Sequence, residues 1–254
     1  MNVKSSTSSQ MSKLKERLDQ EVAKRNNIGE LSIETPDPLM IAKPYNDEVI
    51  ALVCALFAYG NAKQIVKLLE KLDFSLLDQD DDVIRNSLKG IYYRFQTSED
   101  ISSFFIALKR LKKQTTLESL FMEGYRNSGD VLDGIFSIID YLKSIYPYES
   151  RGYKFLIGSS YQNSPYKRWL MFLRWMVRDD ALDMGLWKDV STQDLLLPLD
   201  THTFKVGHKL GLLKRKSYDL KAVKEITTSL RRFDKDDPIK YDFALYRLGQ
   251  EQLV

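Results

Sequence analysis

Residues 47–72, DEVIALVCALFAYGNAKQIVKLLEKL, carry the pattern that decides the fold class. Apolar residues recur there at spacings of three and four, which places them on one face of an α-helix. They are Val49, Ile50, Val53, Leu56 and Phe57. Asn46 stands where an N-cap is expected, because its side chain can accept a bond from a free backbone N–H. We therefore predict a helix that follows Asn46 and buries one face.

The same helical spacing extends over most of the chain. Glycine and proline are scarce, at 12 and 7 of 254 residues, and no run alternates convincingly between apolar and polar residues. An all-α fold is predicted, with a disordered tail over residues 1–12 and a first helix over residues 11–25. Later helices are predicted to start at Ser98, Thr116, Asp130, Pro165, Asp200, Asp219 and Asp237.

Composition limits the class of protein. A chain of 254 residues with 43% hydrophobic residues can form one large domain or two small ones. The single cysteine, Cys54, is predicted to be buried, and it excludes an intrachain disulfide and a four-cysteine cluster. We expect no cofactor and no metal. There is no run of 18 apolar residues and no apolar leader, so we expect a monomeric cytoplasmic protein with no membrane partner, associated with the nucleoid in a bacterial cell.

Basic residues cluster in two segments, although the formal net charge is only +3. Residues 166–178 and residues 205–216 each contain several cations and no acid. Such clusters are typical of a surface that contacts nucleic acid and also of an ordinary solvated face. The charge pattern alone leaves both interpretations open.

Residues 195–212, LLLPLDTHTFKVGHKLGL, place Asp200 between an apolar run and a helix start. Aspartate is common at this position because its carboxylate accepts backbone N–H bonds and favours the positive end of the helix dipole. A carboxylate held there can also take part in chemistry. Asp200 by itself does not distinguish a cap from a catalytic group.

The order of motifs in the second half of the chain resembles the helix-hairpin-helix superfamily of DNA glycosylases. The turn-rich segment and helix GSSYQNSPYKRWLMFLRWMV (158–177) precede the segment LPLDTHTFKVGHKLGL (197–212), which is similar to the family's V/L-D-T/V-H motif. YDFALYRLGQ (241–250) resembles the closing helix, and LVCALFAYGNAKQI (52–65) the helix and turn that probe the duplex. The resemblance covers roughly residues 45–250.

The chain also departs from that family. The usual glycine-rich hairpin of the L-P-G-V-G type is replaced by GSSYQNSPY. The interval from Lys167 to Asp200 is longer than in the endonuclease III branch, and the cluster cysteines are absent. Both features are similar to the archaeal 8-oxoguanine glycosylase branch.

The resemblance implies a fold, a reaction and two catalytic residues. The implied fold is a helical domain over residues 13–254 with two lobes, a cleft between them and a hairpin element at about residues 157–178, the N-terminal segment packing with the C-terminal helices. The implied reaction is excision of an oxidised purine, 8-oxoguanine above all, from duplex DNA in base excision repair. Lys167 would form a Schiff base with the sugar and permit strand cleavage, and Asp200 would stabilise positive charge on the sugar. The positive end of the helix dipole would disfavour the protonated Lys167 amine.

Further site residues follow from the same resemblance. The implied base pocket contains Met171, Arg174, Asp242, Tyr246 and also Trp187. The implied DNA contacts are Tyr59, Gly60, Asn61, Ser160, Gln162, Asn163, Ser164, Arg168, His202 and Lys205. Simpler roles remain open: Lys167 as a phosphate contact, Met171 as a core residue and Gly60 as an ordinary helix break. The alternatives for the whole protein are a glycosylase for another damaged base, a non-catalytic helical DNA-binding protein of the same fold and a helical interaction scaffold.

Overall fold

The computed structural model describes residues 2–32 and 34–252, with side chains from Ser9 onward. Outside the described residues lie Met1, Ile33, Leu253 and Val254. They include the first residue of the predicted tail and the last residue of the predicted domain. Regular structure in the described part is helical, which confirms the all-α prediction. The helices are α1 (Asn2–Arg25), α2 (Leu39–Ala42), α3 (Glu48–Leu56), α4 (Ala62–Leu69), α5 (Asp81–Ser87), α6 (Ser98–Lys112), α7 (Leu117–Ser128), α8 (Val131–Ile145), α9 (Arg151–Ile157), α10 (Lys167–Val177), α11 (Thr201–Lys209), α12 (Leu220–Arg231) and α13 (Asp242–Gln250). Short 3-10 helices cover Ile28–Glu30, Lys43–Tyr45, Phe74–Asp78, Thr192–Asp194 and Pro238–Tyr241.

Most predicted caps are found, and a few helix starts shift. Thr116, Asp130, Asp200 and Asp219 are N-caps whose side chains accept backbone N–H bonds. Other starts move by a residue or more. Asp47 caps α3 in place of Asn46, Thr97 caps α6 in place of Ser98, α10 begins at Lys167, and a 3-10 turn precedes α13. Two acceptable capping residues stand side by side at the first two starts, so the backbone conformation decides which one is used.

The chain forms two compact units. Unit 1 consists of Met1–Leu31 with Asn163–Val254, and unit 2 consists of Ser32–Gln162. In unit 1, α1 packs against α13, as expected for the N-terminal segment. Helix α1 begins at Asn2, where a disordered tail is predicted; residues 2–25 contain no glycine or proline that would end a helix. Arg25 joins the two chain segments because its guanidinium donates to both carboxylate oxygens of Glu251, at 2.9 and 2.7 Å.

Unit 2 is built around α3, α6 and α8. Every residue from Val49 to Phe57 is buried, so α3 is covered on all sides rather than on the single face predicted. Cys54 is fully buried, as predicted, and burial raises the pKa of its thiol. Glu48 accepts bonds from the backbone N–H groups of Leu117 and Glu118, at 2.7 and 3.2 Å, and thereby joins the start of α3 to the start of α7.

Candidate active site around Lys167, Asp200 and Asp242

Lys167 is the first residue of α10. The residue before it, Tyr166, is buried with a left-handed backbone (φ 46°), which turns the chain sharply into the helix. The predicted start at Pro165 is therefore two residues too early. The half-buried Lys167 side chain runs along α10, and its Nζ lies 3.1 Å from Sδ of Met171, one turn further on. Met171 is 7% exposed, so its thioether covers the stem of the lysine.

Asp200 is the N-cap of α11, as predicted. Its Oδ1 accepts the backbone N–H of Thr203 at 2.7 Å. The preceding run is buried, and it is held by two side chains: Thr227 Oγ1 accepts the N–H of Leu197 at 3.0 Å, and the Tyr218 hydroxyl donates to the carbonyl of Leu199 at 2.6 Å. Burial raises the pKa of Tyr218 to about 12, and the negative charge of Asp200 acts in the same direction. The half-buried Asp200 carboxylate is thus carried by a backbone fixed on both sides.

Asp242, the first residue of α13, links these two groups electrostatically. Asp242 is 5% exposed, and its carboxylate accepts a hydrogen bond from Arg174 of α10. Burial raises the pKa of Asp242 to about 6; the charge of Arg174 opposes the rise, that of Asp200 adds to it, and that of Lys167 opposes it. The three groups therefore lie within electrostatic range of one another, although they come from α10, the start of α11 and α13. A buried carboxyl with a raised pKa thus lies within electrostatic range of an amine and a second carboxylate.

Arg174 belongs to a buried network of charges that the sequence analysis did not predict. Its Nε donates to Oδ1 of Asp183 at 3.1 Å, and Asp183 is 2% exposed. Arg178, one turn after Arg174, donates to Oδ2 of the same carboxylate at 2.7 Å and to Asp237 at 3.0 Å. These two arginines are therefore not part of a solvated face. The signal was present in RWMVRDDALD (174–183), where two arginines one turn apart precede three aspartates.

The other predicted pocket residues occupy two environments. Trp187 is 1% exposed in the core of unit 1, edge-on to Phe172 at 5.4 Å between ring centres, an environment that favours a core role. Tyr246 of α13 is half-buried, and its ring meets that of His202 edge-on at 6.2 Å. Gly249 lies close to α11, where an added Cβ would be 3.0 Å from Cβ of His202. A stacking role for Trp187 stays a prediction.

The predicted DNA contacts are divided between the two units. In unit 1, His202 and Lys205 are exposed on α11, Arg168 is half-buried beside Lys167, and Asn163 Nδ2 donates to Oδ2 of Asp219 at 3.3 Å. Ser164 accepts the backbone N–H of Tyr166 at 3.4 Å. In unit 2, Ser160 donates to Asp140 at 2.6 Å and Gln162 is exposed. Ser160, Gln162, Asn163 and Ser164 all lie in the connection between α9 and α10.

Tyr59, Gly60 and Asn61 form the turn between α3 and α4. Asn61 caps α4 through the N–H of Lys63 at 3.0 Å. Gly60 has φ 97°, and a Cβ there would lie 2.9 Å from Nη1 of Arg94. Glycine is therefore favoured at this position by the backbone rather than by the neighbouring side chain, because the Arg94 side chain could move aside for a Cβ. The Tyr59 hydroxyl donates to the side-chain oxygen of Gln96, so the turn is held in place rather than frayed.

Comparison with known proteins assigns the chain to a family. Residues 37–251 match the model of the protein family of unknown function DUF2400, and the chain belongs to that family. The search of curated proteins and the search of solved structures gave no match. In the part of the chain that the structure describes, no helix combines the length and the apolar character needed to cross a bilayer.

Proposed function

We propose that this protein is a bifunctional DNA glycosylase and abasic-site lyase that excises an oxidised purine, with 8-oxoguanine as the expected lesion. The proposal includes the two-lobed architecture and the hairpin element at about residues 157–178 that the resemblance implies. It places the protein in base excision repair with damaged duplex DNA as its partner. A different lesion within the same reaction class is the alternative, since few side chains decide which base a pocket accepts.

The observation that carries the proposal is the electrostatic link among Lys167, Asp200 and Asp242. The motif resemblance singled out an amine and a carboxylate 33 positions apart, and both charges act on the same buried carboxyl. A role of Lys167 as a surface phosphate contact does not require its charge to act on a buried carboxyl that Asp200 also influences. The fixed backbone around Asp200 supports the same view, because electrostatic catalysis requires a charge that does not reorganise during the reaction.

The chemistry assigns a separate task to each group. Base loss builds positive charge on the sugar, and the Asp200 carboxylate stabilises that charge. The neutral Lys167 amine attacks C1′ as the N-glycosidic bond breaks, and the bonding electrons leave with the base, which then takes up a proton. Loss of a proton from the amine and opening of the sugar ring give the Schiff base, and removal of a C2′ proton expels the 3′ phosphate. Asp242, whose pKa is raised by burial, is assigned the role of a proton acceptor or of a group that reads the base edge.

Borohydride trapping tests the proposal directly. The full-length protein is incubated with duplexes that contain 8-oxoguanine, another oxidised purine, an oxidised pyrimidine, an abasic site or no lesion, in the presence of borohydride. We expect a covalent protein–DNA adduct with the oxidised-purine duplex and the abasic duplex, and none with the undamaged duplex. Absence of an adduct and of base release on every lesion would overturn the proposal.

Lys167→Gln identifies the nucleophile. Glutamine keeps hydrogen-bonding ability and nearly the helix propensity of lysine, so folding and DNA binding should largely persist. We expect trapping and strand cleavage to vanish and base release to fall steeply. Arg168→Gln is the matched control, since it removes a neighbouring charge and leaves the amine in place. If Lys167 were one phosphate contact among several, bound Lys167→Gln would still cleave and only its binding would weaken.

A further inference from the structure

Unit 2 carries an aromatic surface formed by the exposed residues Arg94, Phe95 and Phe155 and the half-buried Tyr59. Of these four, only Tyr59 is among the DNA contacts that the glycosylase resemblance implies. The centre of the surface is a tight turn in which Tyr93 and Gln96 exchange two backbone bonds, at 3.0 and 2.8 Å. The turn presents Arg94 and Phe95 at its tip. Arg94 has φ 52°, a left-handed backbone that is unfavourable for a residue with a side chain.

Side-chain hydrogen bonds hold the base of the turn in place, so its exposed tip is not a loose loop. The Tyr93 hydroxyl donates to the carbonyl of Tyr59 at 2.6 Å, and the Tyr59 hydroxyl donates to the side chain of Gln96. Gln96, 2% exposed, also donates to the carbonyl of Gly152 in α9 at 2.8 Å. Buried hydrogen bonds therefore hold the turn, the end of α3 and α9 in one arrangement.

The rings above these bonds contact one another. Tyr59 and Phe95 are parallel, at 6.2 Å and 6° between planes, and Phe155 of α9 meets each of them edge-on at 4.9 Å. Phe95 and Phe155 are nevertheless 49% and 41% exposed. A folded protein gains nothing in stability by holding large aromatic faces in water, so a rigid exposed group of rings indicates a partner.

The charge around the rings indicates which partner. The Arg94 guanidinium lies over the rings of Tyr59 and Phe95, at 5.9 and 5.7 Å from their centres. Arg151 is exposed one helical turn before Phe155, on the same face of α9. The acid next to α9, Glu149, is paired with Lys154 at 2.9 Å. Flat apolar faces combined with cations fit a ligand that has flat bases and negative charge.

We propose that this aromatic surface binds unpaired nucleobases of a DNA strand by stacking. Phe95 and Phe155 would stack against bases, and Arg94 and Arg151 would contact the phosphates beside them. Stacking on aromatic side chains tolerates any base, since every base has a π face. The surface lies within unit 2 and needs neither Lys167 nor Asp200, so it does not rest on the proposed catalytic activity.

A comparison of two oligonucleotides tests this surface. Binding of the full-length protein to an oligothymidylate of about 12 nucleotides is measured by fluorescence anisotropy, beside a tetrahydrofuran abasic oligonucleotide of equal length and charge, which has no C1′ aldehyde for an amine to attack. We expect the oligothymidylate to bind roughly tenfold more tightly, and the preference to disappear in the double variant Phe95→Leu/Phe155→Leu. Equal binding of both oligonucleotides by the unaltered protein, or a preference that survives in the double variant, would overturn the proposal and leave a protein partner as the occupant.

Two controls keep the result specific. Tyr45→Leu removes another exposed ring of unit 2, one that packs edge-on against Phe74, and should leave the preference unchanged. Photo-crosslinking of an oligonucleotide carrying 4-thiothymidine to the unaltered protein, with mapping by mass spectrometry, needs no folded variant. Crosslinks should fall on residues 92–96 and on α9, and crosslinks confined to other segments would contradict the assignment. Lys167→Gln should retain the preference, so failure of the lyase proposal and failure of this surface give different results.

Discussion

At the scale of single residues, the caps show how one side chain can have two tasks. Asp200 ends an apolar run, caps α11 through Oδ1 and carries a charge that is felt at Asp242. The cap and the charge can be separated by substitution, because asparagine caps a helix about as well as aspartate does but carries no charge.

Asp200→Asn should therefore leave the fold intact and remove activity. We expect the melting temperature to change little, and excision to slow by on the order of 10²-fold or more because the sugar cation loses its counter-charge. Single-turnover excision and thermal unfolding of the same preparation check the two parts. Asp130→Asn at the cap of α8 in unit 2 is the matched control. Excision near the unaltered rate in Asp200→Asn would return Asp200 to a purely structural role.

The titration of Asp242 gives a prediction for stability against pH. Its folded pKa of about 6 lies above the ordinary 3.8, so the folded state holds a proton between these values that the unfolded state has lost. The free energy of unfolding contributed by Asp242 should be fully present below about pH 4, fall as pH rises towards 6 and stay constant above that. The difference between the folded and unfolded pKa values corresponds to at most about 3 kcal/mol in the free energy of unfolding. Denaturant unfolding of the unaltered protein and of Asp242→Asn from pH 4 to 8 measures the difference; a difference that grows with pH would contradict the assignment.

At the scale of elements, one buried carboxylate holds the starts of two helices together. Asp100, 1% exposed, belongs to the capping box of α6 with Thr97. It also accepts bonds from the hydroxyls of Tyr148, at 3.2 Å, and Ser150, which caps α9. One carboxylate thus holds the start of α6 against the start of α9. Gly152 fits beside it because a Cβ there would lie 2.4 Å from Asp100 Oδ2.

Asp100→Ala should destabilise unit 2 more than the loss of an ordinary cap. Removing it takes the acceptor from the partly buried donors of Thr97, Tyr148 and Ser150, whereas a simple cap loses one such bond and is worth about 1 kcal/mol. Asp130→Ala provides the simple case, since Asp130 accepts from Leu132 N–H on the partly exposed start of α8. Urea unfolding should show a loss for Asp100→Ala at least twice that for Asp130→Ala. Equal losses would mean that the link to α9 contributes nothing.

At the scale of the whole molecule, unit 1 is assembled from the two ends of the chain. Leu18 and Arg25 of α1 are buried, and Tyr241 donates to Asp19 at 2.8 Å across 222 positions of sequence. The basic residues of unit 1 differ in their exposure to solvent. Arg174 and Arg178 are enclosed by carboxylates, whereas Lys205, Lys214 and Lys216 are exposed.

Only the exposed kind should contribute to binding of a polyanion. Affinity for duplex DNA should fall as salt rises, with a logarithmic slope of roughly −0.9 per phosphate contact. Lys205→Gln should reduce the magnitude of that slope by about one, the value of a single phosphate contact. The control is Lys89→Gln, which removes an exposed lysine of unit 2 outside both basic segments and should leave the slope unchanged. Binding titrations from about 50 to 200 mM salt measure the slopes. An affinity that does not respond to salt would exclude DNA as a phosphate-contacted partner.

Features that depend on near neighbours in the chain can be predicted from local sequence patterns. Helix periodicity and N-caps involve residues within about four positions, so the all-α class and the caps Thr116, Asp130, Asp200 and Asp219 could be predicted. The motif resemblance also singled out Lys167, Asp200 and Asp242. These are local patterns, and they remain visible however the rest of the chain packs.

Contacts between residues far apart in the chain become visible only in the folded protein. Arg174 lies 68 positions from Asp242, and Tyr59 lies 37 positions from Gln96. Such pairs are selected by the packing of whole helices, which no short pattern encodes. Packing also decided that Arg174 and Trp187 are buried, that Asp242 is desolvated enough to titrate near pH 6, and that Phe95 and Phe155 stay in water. Burial and electrostatic environment belong to the assembled fold, because each depends on every element that surrounds a side chain.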